Sequence, residues 1–214
     1  NAGTASGNEE DMPFVITIAR EYGSEGQEIG KALASRLHCK YYDKDLIKSI
    51  AQKSGYTEEY ISKNAERLTN KLWYELYTKP YAYVNRERTF QDAIFEVEKD
   101  LIQEIASKEC CVIIGRLSNY ILRGYKNSTH IFISADMDTK LKNVMKHDEI
   151  QSEDARKKIQ RVEKMRKNYC KCITGENWGE AHNYDFCVDV SSFNADQITD
   201  MLVSILQKRK YAVQ

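Results

Sequence analysis

The sequence carries little that would break it into segments and no excess charge of either sign. Only 2 of its 214 residues are proline, and with no repeat or low-complexity stretch the chain lacks the composition of a linker between domains. Lys and Arg number 32 against 32 Asp and Glu, so the formal net charge is zero. Nucleic acid or an anionic membrane as main partner would favour a strong basic excess, so neither is expected. A local basic pocket for a phosphorylated small molecule stays open. No run approaches the ~18–20 apolar residues needed to span a bilayer. Residues 1–11 are polar and acidic, without the basic start and apolar run of a signal peptide. Met12 before Pro13-Phe14-Val15-Ile16 reads as a natural start, and residues 1–11 as a tag remnant or a disordered tail. Without a secretory signal, the 6 cysteines are expected as free thiols in a reducing compartment, the cytoplasm. Cys110 and Cys111 sit in an apolar run and are expected in the core. Cys170-x-Cys172 has no second pair at zinc-ligand spacing and the 4 histidines are scattered, so no metal ligands are assigned.

What is present is an alternation of short apolar runs and helical periodicities. Phe14 to Ala19 predicts a strand, followed by a glycine-bearing turn. A helix from Gly26 then carries Ile29, Ala32, Leu33 and Leu37 at helical spacing. Tyr41-Tyr42 is a second strand, and Asp43 a good N-cap for a helix through Leu46, Ile47 and Ile50. From Thr57 to Lys108 the chain reads as helical with polar breaks. Its last helix, from Thr89 to Ala106, has Ile94, Val97, Leu101, Ile102 and Ile105 on one face. The continuous apolar run Cys110 to Ile114 predicts a strand buried on both sides. His130 to Ser134 and Phe186 to Val190 complete the strands. Asp136 or Asp138 caps the helix after the former, and Asn194 with Gln197 forms a capping box before the closing helix. That helix shows Ile198, Met201, Leu202, Ile205 and Leu206 as an apolar stripe. Such alternation implies an α/β fold, a mainly parallel sheet with helices on both faces.

The segment from Ile16 to Gly30 places a strand, a glycine turn and a helix in succession. A helix N-terminus presents unpaired N–H groups and the positive end of a dipole, so it holds phosphate without a special side chain. Gly23 and Gly26 let the backbone curl close to an anion. A Walker A loop reads G-x-x-x-x-G-K-[ST]. Here Gly26 matches the second glycine, while Glu21, Gln27 and Glu28 occupy the first glycine, lysine and hydroxyl positions. Without the lysine another cation must neutralise the β- and γ-phosphates, and Arg20 at the strand end is the nearest. Without the hydroxyl, Mg2+ needs another ligand or comes held by nucleotide and water. The bland alternative is a strand-to-helix turn with no ligand.

Ile16-Thr17-Ile18-Ala19-Arg20-Glu21-Tyr22-Gly23-Ser24-x-Gly26, together with Tyr41-Tyr42-Asp43-Lys44-Asp45-Leu46-Ile47, resembles the cytidylate-kinase-like family, relatives of the bacterial CMP kinases. Val112-Ile113-Ile114-Gly115-Arg116, Thr174-Gly175-x-x-Trp178-Gly179 and Tyr184-Asp185 agree with it. The resemblance runs from Phe14 to the C-terminus. It implies a P-loop kinase-like three-layer fold with a five-stranded parallel sheet, a helical nucleoside-monophosphate-binding insertion over about 43–108 and a lid over about 148–175. All lie in a single domain, 12–214. Departures are visible. Asp43 matches the aspartate of the D-[ST]-G segment of CMP kinases, but Lys44-Asp45 follow it. Gly115-Arg116 match their Gly-Arg-Asp, with Leu117 in place of the aspartate.

Ser152 to about Lys171 reads as one helix, capped by Ser152 with Glu153 and Asp154 in its first turn. Ala155, Ile159, Val162 and Tyr169 form its apolar face, and Arg166 falls on that face, where an arginine needs an anionic partner. Arg161 and Lys164 read as solvated. The resemblance makes Arg166 the lid residue that closes over the transferring group, Arg20 its partner in catalysis, and Tyr22, Gly23, Ser24, Glu25, Gly26, Gln27 and Glu28 the cradle of the donor phosphates. Asp43 and Arg116 are assigned to the acceptor. Tyr22 either packs on a base or closes the turn. The expected activity is phosphoryl transfer from ATP with Mg2+ to a nucleoside monophosphate, CMP or dCMP by resemblance. The alternatives are a nucleotide-binding sensor module that has lost catalysis, and a kinase for another small acceptor.

Overall fold

The computed structural model describes residues 12–43, 45 and 88–212. Five strands, β1 (Val15–Arg20), β2 (Lys40–Tyr42), β3 (Cys111–Ile114), β4 (Ser128–Ser134) and β5 (Phe186–Asp189), form one sheet in the order β2-β3-β1-β4-β5. Every pairing is parallel. The described helices are α1 (Gly26–Arg36), α2 (Arg88–Lys108), α3 (Ser118–Ile121), α4 (Met137–Asp148), α5 (Ser152–Thr174) and α6 (Ala195–Ala212).

Side chains alternate across the pleat, and the strand sequences divide accordingly. Ile16 and Ile18 of β1, with Val112 and Ile114 of β3, face a layer built by Ile29 and Leu33 of α1 and by Ile198, Leu202 and Leu206 of α6. Val15, Cys111 and Ile113 face the opposite layer, where α2 contributes Leu101, Ile102 and Ile105. A sheet covered on both faces needs strands apolar on both sides, which explains the uninterrupted apolar run of β3. Gly30 of α1 lies against β3 so closely that a Cβ there would collide with the Ile114 side chain.

The strands and the helix after Gly26 stand where the apolar patterns put them, with β4 beginning two residues before the predicted His130. Asp136, rather than Asp138, caps α4 by accepting from the Thr139 N–H at 2.7 Å. Asn194 and Gln197 make the reciprocal bonds of a capping box, at 2.9 and 3.0 Å. Asp43 accepts from the Asp45 N–H at 3.1 Å, as a cap would. The rest of that helix, residues 46–87 of the predicted insertion and its aromatics Trp73, Tyr74, Tyr77, Tyr81 and Tyr83 lie outside the described residues. Among the described residues no helix is long and apolar enough to cross a membrane.

Two expectations fail. Ser152 is the first residue of α5 and not its cap; the cap position is Gln151, which makes no side-chain bond to the helix. Nor are all cysteines free: Cys39, just before β2, is joined to Cys110, just before β3, by a disulfide. Parallel pairing of β2 with β3 sets Lys40 opposite Cys111, which brings the two preceding residues together. Cys111, Cys170, Cys172 and Cys187 are free.

The bridge closes a stretch with a sequence separation of 71, and constraining so long a loop in the unfolded chain stabilises a fold by about 2–4 kcal/mol. Reduction should lower the urea midpoint accordingly. Thiol titration of the denatured, unreduced protein should find Cys111, Cys170, Cys172 and Cys187 reactive; reaction at all 6 cysteines would show that the bond does not form.

Candidate functional site

In an open parallel sheet, ligands bind outside the carboxyl ends of the strands where the strand order reverses. β1 occupies that position here, flanked by β3 and β4. Its chain leaves the sheet after Arg20, turns through Glu21 to Glu25 and enters α1. The turn starts from a sheet-like bond, Glu21 N–H to Ile133 O at 2.9 Å. Glu25, in the left-handed region at φ 56°, ends it. The Ile29 N–H is bonded to Glu25 O at 3.0 Å. The N–H groups of Gly26, Gln27 and Glu28 precede that bond and form the open, positive end of the helix.

Two glycines let the turn close this tightly. Gly23 has φ +85°, and a Cβ there would stand 2.8 Å from Val144 Cγ2 and 2.9 Å from Lys140 O. The loop therefore lies directly on α4, and Asn143 Nδ2 donates to Gly23 O at 2.9 Å. A Cβ on Gly26 would come 2.6 Å from Arg20 Cβ. The Arg20 side chain runs beneath α1 and sets its guanidinium over Gly115, where a Cβ would collide with Nη1.

Above the loop opens a cleft of about 330 Å³. Arg20, Tyr22, Gly23, Glu25, Gly26, Gln27, Glu28 and Arg166, all assigned to the site from the sequence, line it, and α4 adds Lys146 and His147. Ser24 does not line it: the residue is fully buried, and its Oγ donates to Glu21 O at 3.0 Å, bracing the turn from inside. A second, smaller opening of about 30 Å³ lies beside the end of β3, walled by Arg116, Leu117, Tyr169 and Trp178. Arg20 and Arg166 line both openings.

Arg166 reaches this position from α5 and donates through Nη1 to Arg20 O at 2.6 Å. The expected apolar face of α5 is confirmed at Ala155, Ile159 and Tyr169, but Glu163 is buried where Val162 was expected, and Val162 is half-buried. Arg116, at φ 57°, is 8% exposed and is held by Glu98 of α2 at 2.6 Å. The acceptor residue named from the sequence thus has a structural partner. Burial pushes the Glu98 carboxyl up, against the pull of Arg116. Asp43 lines neither opening.

Tyr22 closes the turn by packing on α4 and α5, against the cluster of Leu141, Val144, Ala155 and Ile159. Its hydroxyl donates to Asp148 Oδ2 at 3.0 Å. Lys158 binds the same oxygen at 2.9 Å, and Lys158 Nζ and Arg166 Cζ stand 5.7 and 5.8 Å from the ring centroid. A second tie was not expected from the sequence. Lys140 of α4, 5% exposed, binds Glu21 Oε2 at 3.0 Å and Glu163 Oε1 at 2.9 Å. Glu21, which also accepts from the Ala135 N–H, is drawn inward. Burial works against the Lys140 ammonium, but Glu163 and Glu21 outweigh it and hold its pKa above the ordinary lysine value. One signal existed: Glu163 continues the four-residue spacing of Ala155 and Ile159. Nothing marked Lys140, a lysine in the first turn of a polar helix.

Among the described residues no group of three or more His, Cys, Asp or Glu could hold a metal ion. Asp148 and Glu21 are engaged as above, which leaves Glu25 and Glu28 as the other carboxylates lining the cleft. Among the described residues that donor set fits a cation carried in by a nucleotide's own phosphates, with Glu28 at the position of the Walker hydroxyl.

A five-stranded parallel sheet in this order, with a phosphate-type loop leading from its central strand into α1, is the fold of a P-loop kinase. A model of the cytidylate kinase-like family matches residues 15–192, and the chain belongs to that family. Among solved structures, an uncharacterized protein from Eubacterium ventriosum ATCC 27560 is similar over 91% of this chain and 98% of its own, at 24% identity and a TM-score of 0.68. A shikimate kinase from Acinetobacter baumannii, in complex with shikimate, aligns over 94% of this chain and 96% of its own, at 13% identity and a TM-score of 0.50. A gluconokinase from Sinorhizobium meliloti 1021 gives the same four values. No curated protein matches the chain.

The Tyr22–Asp148–Lys158 tie has a pH dependence. Burial works to raise the Asp148 carboxyl, but bonds from His147, Lys158 and Tyr22 win and hold it down to about 2, below its ordinary 3.8. Its stabilisation is therefore present above the ordinary value and is lost as the pH falls through it toward 2. Asp148→Asn should lower the urea midpoint at neutral pH, and the gap from wild type should narrow below about pH 4. A gap that stays constant on acidification would disprove the assignment.

Proposed function

We propose that the protein transfers the γ-phosphoryl group of ATP, bound with Mg2+, to a small phosphorylated acceptor, with CMP or dCMP first among candidates. The observation that carries this reading is that Arg20 and Arg166 line both the cleft over the α1 N-terminus and the opening beside β3. Two guanidinium groups between a phosphate cradle and a second site stand where a transferring phosphoryl group would pass.

The N–H groups at the start of α1 hold the donor's β- and γ-phosphates, and Arg20 supplies the positive charge that the missing Walker lysine would have given. Mg2+ carried in with the nucleotide would neutralise part of the phosphate charge, and Glu28 is the cleft carboxylate that would hold it. A phosphate oxygen of the acceptor bonds to the γ-phosphorus as the bond to the β–γ bridging oxygen breaks, and ADP leaves. Arg166, carried by α5 acting as the lid, meets the charge spread over the three equatorial oxygens. Catalysis is positioning and charge neutralisation, without a covalent intermediate. The pairing of Arg116 with Glu98 favours, as a second reading, the same chemistry on a different small acceptor, because one cation expected to hold a nucleotide phosphate already has a carboxylate.

Purified protein with Mg-ATP and a panel of CMP, dCMP, UMP, AMP and GMP, followed for ADP and for new diphosphates, tests the proposal. One acceptor should be converted, and Arg166→Ala should reduce kcat about 100-fold or more, the usual cost of removing a group aimed at transition-state charge. ADP formation with acceptors outside the panel would favour the second reading. ATP binding without any turnover would point instead to a sensor module.

A further inference from the structure

We infer that Lys140 is the positioning residue of this site: its ammonium joins the phosphate loop to α5 and thereby sets where Arg166 stands. The inference rests on the phosphotransferase reading only for its kinetic consequence; the tie itself can be tested without it.

The geometry is a single buried cation between two carboxylates from distant parts of the chain. Glu21 belongs to the loop, at the position where a Walker motif has its first glycine, and Glu163 belongs to α5. Lys140 is 3.0 Å from the one and 2.9 Å from the other, with side-chain exposures of 7% for Lys140, 20% for Glu21 and 12% for Glu163. Two carboxylates so placed repel each other, and so far out of water the repulsion is weakly screened. The ammonium turns that repulsion into a clamp. Removing it leaves uncompensated buried charge, which is strongly destabilising where the pair had been satisfied.

The clamp bears on catalysis through spacing along α5. Arg166 follows Glu163 by three residues, and side chains so spaced share a helix face. Glu163 is fastened to Lys140, and Arg166 donates to Arg20 O at 2.6 Å. One turn of α5 is thus pinned at one end to the loop, through Lys140 and Glu21, and at the other to the last residue of β1, and the guanidinium is aimed along the wall shared by the two openings. Lys140 is also close to the loop through its backbone, because Gly23 packs on Lys140 O. The Glu21 carboxylate, held by Lys140 and the Ala135 N–H, is kept from swinging over the α1 N-terminus, where it would compete with phosphate.

Amide hydrogen exchange on the protein without ligand tests the tie. In Lys140→Met the amides of Glu21 and Ala135, bonded to Ile133 O and to the Glu21 carboxylate, and those of residues 155–166 should exchange at least tenfold faster, while those of β1 and β3 keep their wild-type protection. Lys140→Arg should restore both sets. Glu163→Gln should loosen residues 155–166 and leave the Glu21 and Ala135 amides protected, because Lys140 still holds Glu21. Uniform acceleration through the sheet, or unchanged protection of residues 155–166 in Glu163→Gln, would overturn the inference. Should Lys140→Met fail to fold, the Glu163→Gln and Lys140→Arg proteins decide alone. In the active protein the two carboxylates should separate kinetically. Glu163→Gln should lower kcat about tenfold with the KM for ATP within twofold, and Glu21→Gln should raise that KM. Equal effects of both on a single parameter would refute the positioning role. If wild type neither binds Mg-ADP by calorimetry nor turns over, the phosphotransferase reading fails, and the exchange pattern still decides the tie.

Discussion

The site depends on how closely the backbone between Arg20 and Gly26 is packed. Gly23 meets the backbone of α4 at Lys140, and Gly26 meets the stem of Arg20, each at a distance no Cβ tolerates. These two contacts bring the first N–H groups of α1 to the carboxyl end of β1 and lay the Arg20 guanidinium over Gly115. A side chain at either glycine would have to push α1 from the sheet or Arg20 from the shared wall of the two openings. Ser24, buried and bonded to Glu21 O, keeps the turn from relaxing on its inner side.

Upon that packing rests an electrostatic arrangement unlike a Walker loop. A lysine inside the loop would deliver one flexible charge directly to the phosphates. Here the loop contains none, and its cations come from elsewhere: Arg20 from β1, Arg166 and Lys158 from α5, Lys146 from α4. Two of the carboxylates near them are already engaged, Asp148 by Tyr22 and Lys158 and Glu21 by Lys140. The field over α1 is thereby less negative than the count of acidic residues in the segment suggests. Because the cations belong to separate elements, their convergence depends on α5 staying docked, which distinguishes this arrangement from a self-contained phosphate loop.

Much of the fold was legible. β3 announced itself as a run apolar on both faces, and the capping box at Asn194 and Gln197 marked the start of α6 to the residue. The α5 stripe placed Arg166 on the inward face, and the glycines pointed to the turn. The resemblance to cytidylate kinases rested on motifs around those same elements, and the family assignment agrees with it. What was misread shares a cause. Ser152 looked like a cap because its residue type favours that role, but cap geometry is decided by where the backbone turns. The cysteines were judged from compartment, whereas the pairing of Cys39 with Cys110 follows from the register that sets β2 beside β3. Arg116, assigned to the acceptor, does line the smaller opening; what went unforeseen is its ion pair with Glu98 of α2.

Family resemblance, and not local pattern, put Arg20 and Arg166 in one neighbourhood; the sequence by itself determined the order of strands and helices along the chain, the strand–turn–helix at Gly23 and Gly26, and the loss of the Walker lysine and hydroxyl. Those properties are local: periodicity, glycine and chain order fix which face of each element is buried. Only the tertiary structure decided which charges meet. Glu21 and Lys140 stand 119 residues apart and Lys140 and Glu163 another 23, and of the three only Glu163, on the spacing of Ala155 and Ile159, carried a sign of facing inward. Partner choice among charged groups is set by the packing of elements distant in the chain, and no local pattern encodes it.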